Sequence, residues 1–216
     1  MTWFGLSFDT LALFALAALL LAATPGPVWL YLISRTLAQG RRAGYCSMLG
    51  VAAGLAVHML LAALGLSAVL LAIPFAFDAI KLAGAAYLLW LAIGTLRGGG
   101  LAFTPQALPP VADGVLLRQA FVAALVNPKV AVFYLSLFPQ FVDPAAGSVL
   151  AQSLLLGALQ IAIAAVIDVT LVTVAGVLAL AIKRRPLWLR VQRLALGGTF
   201  GVLAVWLAAT PSRTAP

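Results

Sequence analysis

The chain alternates long apolar runs with short polar connectors, and the spacing of the runs predicts its elements. Six runs stand out: about Phe8 to Ile33, Cys46 to Ile73, Ala79 to Leu96, Ala120 to Phe141, one within Val149 to Ile182 and one within Leu194 to Ala209. A helix crossing about 30 Å of hydrocarbon needs roughly 17–25 apolar residues, tilt included. The runs suit that length, the sixth being the shortest, and are too continuously apolar for the alternating strands of an outer-membrane barrel. The pattern predicts an all-α integral membrane protein with six transmembrane helices.

Two of the runs are interrupted. Thr24-Pro25-Gly26-Pro27 breaks the first, and Asn127-Pro128-Lys129 breaks the fourth. Proline removes a backbone donor and clashes with the preceding turn, so neither helix can be continuous. In lipid such a break is tolerated only where it packs inside protein or lines a polar cavity. Breaks in corresponding places of two halves point to a transporter's binding site. Tyr31 and Tyr134 each follow their break by six residues, and the same offset lays Gly54 on Gly157. Three spans per half make the halves enter the membrane from opposite sides. The expectation is two inverted three-helix repeats, about 8–97 and 119–210, joined by a Gly- and Pro-rich cytoplasmic linker at about 98–118.

Composition agrees with a membrane bundle. The 216 residues are 64% hydrophobic and only 8% charged, with a mean hydropathy of +1.15; soluble domains are about a quarter charged. The net charge of +8 is no nucleic-acid footprint, because ten of the thirteen Lys and Arg residues fall on one side of the predicted membrane. Arg35, Arg41 and Arg42 follow the first run, Arg97 and Arg118 flank the linker, and Lys183, Arg184, Arg185, Arg190 and Arg193 follow the fifth. The positive-inside rule makes those loops cytoplasmic and turns both termini outward. No basic residue precedes the first apolar core, which carries Asp9, so a retained helix is expected rather than a signal peptide. The lone Cys46 excludes an internal disulfide and a multi-cysteine metal site, and is expected to pack.

Few residues are left to carry chemistry. Unwinding at Thr24–Pro27 and at Asn127–Lys129 exposes amides, which suit a carboxylate, and carbonyls, which suit an ammonium group. Asp168 is the one acid deep in the fifth run; it binds a substrate amine, carries a coupling proton, or pairs with Lys129, Thr170 or Thr173. Lys129 neutralises Asp168, holds a substrate carboxylate, or snorkels to the surface. His58 follows Gly50 and Gly54 at intervals of four, on a face suited to close helix contact; it makes a packing hydrogen bond or relays protons. Tyr31, Tyr87, Tyr134 and Gln160 are candidate cavity donors, and Trp3, Trp90, Trp188 and Trp206 sit where an interfacial belt would place them. There is no phosphate-cradling loop, no metal-ligand cluster and no serine elbow or paired carboxylates, so no cofactor is implied and transport would be ion-driven.

These residues together resemble the lysine-exporter family of bacterial amino-acid efflux permeases, nearer its homoserine/threonine-exporting branch. The resemblance rests on Thr24–Pro27, Ser34-Arg35, Gly40–Gly44, the Gly50/Gly54/His58 spacing, Lys81–Trp90, Asn127–Lys129 and Pro139–Asp143. It implies a six-helix inner-membrane exporter exchanging amino acids for protons. The breaks with Tyr31 and Tyr134 would hold substrate, and Asp168 and His58 would couple protons. Leu55 and Ala175 stand where some members carry an acid and a tyrosine, which favours a small neutral substrate over a dibasic one. The competing readings are a membrane enzyme or lipid-handling protein with a midplane pocket, and a non-transporting membrane subunit. A homo-oligomer is left open.

Overall fold

Ser7 starts the first helix: its hydroxyl accepts from Thr10 N at 3.1 Å, and Asp9 in the first turn complements the positive end of the helix. This computed structural model describes residues 2–72, 82–83, 85–86, 89–90, 92–94, 96–97, 109–184 and 187–209. Ahead of that helix, β1 (Thr2–Trp3) and β2 (Leu6–Ser7) pair antiparallel around Phe4 and Gly5. Gly5 has a φ of +88°, and a side chain there would also run into the backbone of Ala146.

Helices follow: α1 (Phe8–Ala23), α2 (Pro27–Gln39), α3 (Arg41–Ala72), α4 (Asp113–Leu125), α5 (Pro128–Val132), α6 (Val149–Arg184) and α7 (Leu187–Ala209). From α5 the chain runs through a π-helical turn (Phe133–Leu137) into a 3-10 turn (Phe138–Phe141). The chain is therefore helical and apolar, in keeping with a helical integral membrane protein. Arg41–Gly65 and Val149–Val177 are long and apolar enough to span a bilayer, with mean hydropathies of 2.0 and 2.2. The predicted interruptions are present: α1 and α2 meet at 53°, and α4 and the helix begun at Pro128 meet at 47°. Each bent pair has the composition of one broken span. Eight of the eighteen residues of the predicted third span, Ala79–Leu96, lie outside the described residues, Lys81 and Tyr87 among them, as do linker residues 98–108.

Three sequence boundaries move. The first span continues to Gln39, so Arg35 is not a loop cation; it is 4% exposed inside α2. Helix α4 begins at Asp113, whose acid suits a first turn, which shortens the linker at that end. Helix α3 begins at Arg41, five residues before the apolar run does.

Close packing is built from small residues. A Cβ added at Gly50 or Gly54 would come within 3.0 Å of α4, at Leu117 O and Ala120, or at Phe121 O and Ala124. Gly157, which the repeat offset aligns with Gly54, meets Met59 of α3 in the same way. Helix contact in a bilayer depends on such approach. Gly54→Val is therefore expected to push α3 off α4 at an overpacking cost of about 1–3 kcal/mol. Gly65→Ala, where an added Cβ meets nothing within 4 Å, is the neutral control; detergent size-exclusion profiles of the two variants compare them. An aromatic cluster fixes α1 to the segment after α5, with Phe14 5.8, 5.7 and 5.1 Å from Phe133, Phe138 and Phe141.

The contacts define two ends. At one, the N-terminal hairpin lies against Ala146, in the connector before α6. At the other, Arg42 pairs with Asp113 at 2.9 Å, Arg41 donates to Thr173 O at 2.9 Å, and the Cys46 thiol faces Asp113 O.

Candidate functional site

Both breaks end in capped helices, and the caps determine what the site offers. Thr24 closes α1: its N–H donates to Leu20 O at 3.1 Å and its hydroxyl to the same oxygen at 2.5 Å. Trp29 Nε1, from the first turn of α2, reaches back to Ala22 O at 2.8 Å. Helix α2 itself starts at Gly26 with no side-chain cap. At the second break Asn127 Oδ1 accepts from Lys129 N at 3.1 Å, so α5 caps its own start.

Lys129 joins the two breaks. Its Nζ donates to Leu21 O and to Thr24 O, each at 2.7 Å, and the side chain is 8% exposed. A Cβ at Gly26 would stand 3.4 Å from that Nζ, so the bare backbone of the first break is what the lysine lies against. The sequence left snorkelling open for Lys129; the structure turns it inward, because the C-terminal carbonyls of α1 provide acceptors and negative dipole that compensate a buried ammonium. It also corrects the expectation of free carbonyls at Thr24–Pro27: the ammonium they suit is already there, supplied by the chain.

Lys129, Asn127 and Trp29 line a cavity of about 40 Å³. The opposite wall is α6, where Gln160, Ala164 and Asp168 recur every four residues and so share one face. Asp168 is 6% exposed. The pairings considered for it are not made. Among the described residues the one ion pair within 4.0 Å is Arg42–Asp113. The Thr170 and Thr173 hydroxyls donate back to Val166 O and Val169 O, at 2.8 and 2.7 Å. Asp168 therefore faces the cavity without a hydrogen-bonded partner among the described residues.

A second polar chain stands behind Gln160, whose Oε1 accepts from Tyr134 OH at 2.8 Å. His58 stacks on the Tyr134 ring, centroids 5.6 Å apart, and its Nε2 lies 3.1 Å from Leu125 O. A carbonyl can only accept, so Nε2 carries the hydrogen and closes the C-terminus of α4. That is the packing bond expected from the Gly50/Gly54/His58 face. Tyr31, the counterpart of Tyr134 by offset, is not among the cavity-lining residues; its hydroxyl donates to Leu116 O at 3.1 Å and faces Gln119 Oε1 at 3.4 Å. Of the tryptophans placed in an interfacial belt, Trp90 is exposed and Trp206 stacks on Phe141, while the side chains of Trp3 and Trp188 lie outside the described ones.

Reading the sequence for site residues missed Trp29, Arg35, Gln39 and Gln119. A signal for the α2 pair was present: Tyr31, Arg35 and Gln39 recur every four residues, a polar stripe on one face of an otherwise apolar helix.

Two broken helices meeting through a buried lysine, beside a carboxylate in a largely apolar cavity, are features of membrane transport proteins. The chain is a member of the LysE type translocator family, whose model matches residues 19–210. It is 35% identical over 199 residues to an uncharacterized membrane protein of Pseudomonas aeruginosa, covering 90% of this chain and 89% of that protein. It is 32% identical over 203 residues to the homoserine/homoserine lactone efflux protein of Salmonella typhimurium, covering 94% and 98%. It is also 32% identical over 134 residues to the leucine efflux protein of Salmonella choleraesuis, covering 60% and 62%. No solved structure is significantly similar.

Proposed function

We propose that the protein exports small amino acids from the cytoplasm across the bacterial inner membrane in exchange for protons, neutral ones such as homoserine and threonine being preferred. The observation that carries this reading is a single cavity lined by the residues flanking the first break (Leu21, Ala22, Val28, Trp29), by Asn127 and Lys129 of the second, and by Asp168. Lys129 reaches back to Thr24 O; Thr24–Pro27 and Pro128 do not themselves line the cavity. Membership of a translocator family and the efflux activities in the relatives' names supply the substrate class.

The site has a place for each end of a zwitterion. Val28 and Trp29 of the uncapped α2 start line the cavity, and the first amides and positive dipole of that helix suit a carboxylate. The α1 carbonyls and Asp168 suit the ammonium group. Lys129 takes that place in this structure, and the incoming ammonium displaces the lysine. About 40 Å³ holds only a few waters, whereas small-molecule pockets are about 300–1,000 Å³; the site widens to admit its substrate. Asp168 carries the coupling proton, and Tyr134 with Gln160 positions the wall, His58 holding Tyr134 from behind.

Two inverted repeats, about 8–97 and 119–210, would alternate around this site. In support, α1 begins at the end marked by Ala146, whereas α4 begins at the opposite end, beside Arg42. The basic loops put that second end in the cytoplasm and both termini outside. Cells preloaded with labelled homoserine, threonine and leucine test the substrate class. Expression is expected to lower retained homoserine or threonine below that of cells lacking the protein; unchanged retention of all three would end this reading.

A further inference from the structure

Arg35 is buried to 96% of its surface in α2, and every hydrogen-bond partner it has among the described residues is neutral. Nη1 donates to Pro109 O at 2.9 Å and Gln39 Oε1 at 3.3 Å, and Nη2 to Gln119 Oε1 at 2.7 Å. The guanidinium also lies 5.7 Å from the centre of the Tyr31 ring. Nε has no partner among the described residues, although it is buried. Nε and Nη2 lie along one edge of the guanidinium, the edge that takes a carboxylate through two parallel hydrogen bonds. The ion pair at this end, Arg42–Asp113, does not involve Arg35.

The neighbours form a clasp. Tyr31 and Arg35 bond to Leu116, Gln119 and Pro109, and Gln39 makes a two-way bond with the backbone of Val111, at 2.8 and 3.1 Å. One face of α2, from the first half, is thereby fastened to the start of the second half. For fastening alone, a glutamine would donate without the cost of burying a charge. The charge acquires a purpose when the clasp opens, because separation of α2 from residues 109–119 removes two of the three oxygens. A cation is then presented about two helical turns from Trp29 and the cavity.

The geometry points to Arg35 as a carboxylate-capture site at the cytoplasmic mouth, trading Pro109 O and Gln119 Oε1 for the carboxylate of an amino acid as the clasp opens. This rests on the amino-acid export reading and adds a subsite to it, separate from the cavity.

The test uses inside-out membrane vesicles, with uptake of labelled homoserine and of homoserine lactone, which has the ammonium but no carboxylate. Arg35→Gln is expected to raise the half-saturating homoserine concentration by roughly tenfold or more, the effect of losing a charge-assisted hydrogen bond, while leaving that of the lactone within about twofold. Gln119→Glu keeps the packing and gives Arg35 a permanent counter-ion, so it is expected to shift homoserine in the same direction. If wild type transports but the two compounds respond alike to Arg35→Gln, or homoserine loses only maximal rate in both variants, the clasp is merely structural and the inference is overturned. If wild-type vesicles move neither compound, the export reading falls, and this inference with it.

Discussion

Asp168→Asn abolishes proton-driven export while leaving the protein folded. The substitution keeps the side chain's shape and removes its ability to carry a proton. Asp168 has no hydrogen-bonded partner among the described residues, so no bond is lost from the fold. Lys129 attracts the carboxylate from beyond ion-pair distance, and losing that attraction is offset by no longer holding a charge in a buried place. Yield and melting temperature are accordingly expected to match or exceed wild type, with net efflux at background. A purely structural Asp168 would give normal efflux; a collapse in yield would show that its carboxylate holds the helices together.

Lys129→Met separates binding from turnover. Lys129 fills the acceptors Leu21 O and Thr24 O. Removing it takes one donor from each of two buried carbonyls, at about 1–3 kcal/mol for a carbonyl left unsatisfied, so the melting temperature falls. The same removal frees the carbonyls for the substrate ammonium. Homoserine is expected to bind more tightly, by roughly tenfold for one charge-assisted bond no longer displaced, and to be released more slowly. Binding by isothermal calorimetry and flux by vesicle uptake read the two effects. Weaker binding with unchanged flux per bound substrate would mean that Lys129 itself holds the carboxylate and displaces nothing.

The contrast between those residues explains how much of the molecule is legible in its sequence. The breaks are legible because proline acts on its own turn, and Pro25, Pro27 and Pro128 interrupt their helices regardless of context. The Gly50/Gly54/His58 face is legible because helical spacing alone places three residues together. Asp168 is legible because a charge amid apolar residues needs a reason. The acceptors of Lys129 are not, since they are backbone carbonyls more than a hundred positions away that any residue would offer. Arg35 was misread for a related reason. Hydropathy treats a charge at the end of an apolar run as loop, whereas carbonyls and amides from residues 109–119 pull it into the helix interface. The matched tyrosines show the limit of internal symmetry: Tyr134 meets Gln160 behind the cavity, while Tyr31 meets the start of α4. The same offset on two chains of neighbours gives two environments. The π-helical turn after α5 left no local signal at all.

Substrate movement is tied to a proton on Asp168. Purified protein in liposomes loaded with labelled homoserine, with a pH gradient imposed across the membrane, tests it most directly. The expected result is accelerated homoserine release when protons are offered from the opposite side, with none in Asp168→Asn, although unlabelled homoserine still exchanges for label in that variant. Release by Asp168→Asn that responds to the gradient as wild type does would contradict the account.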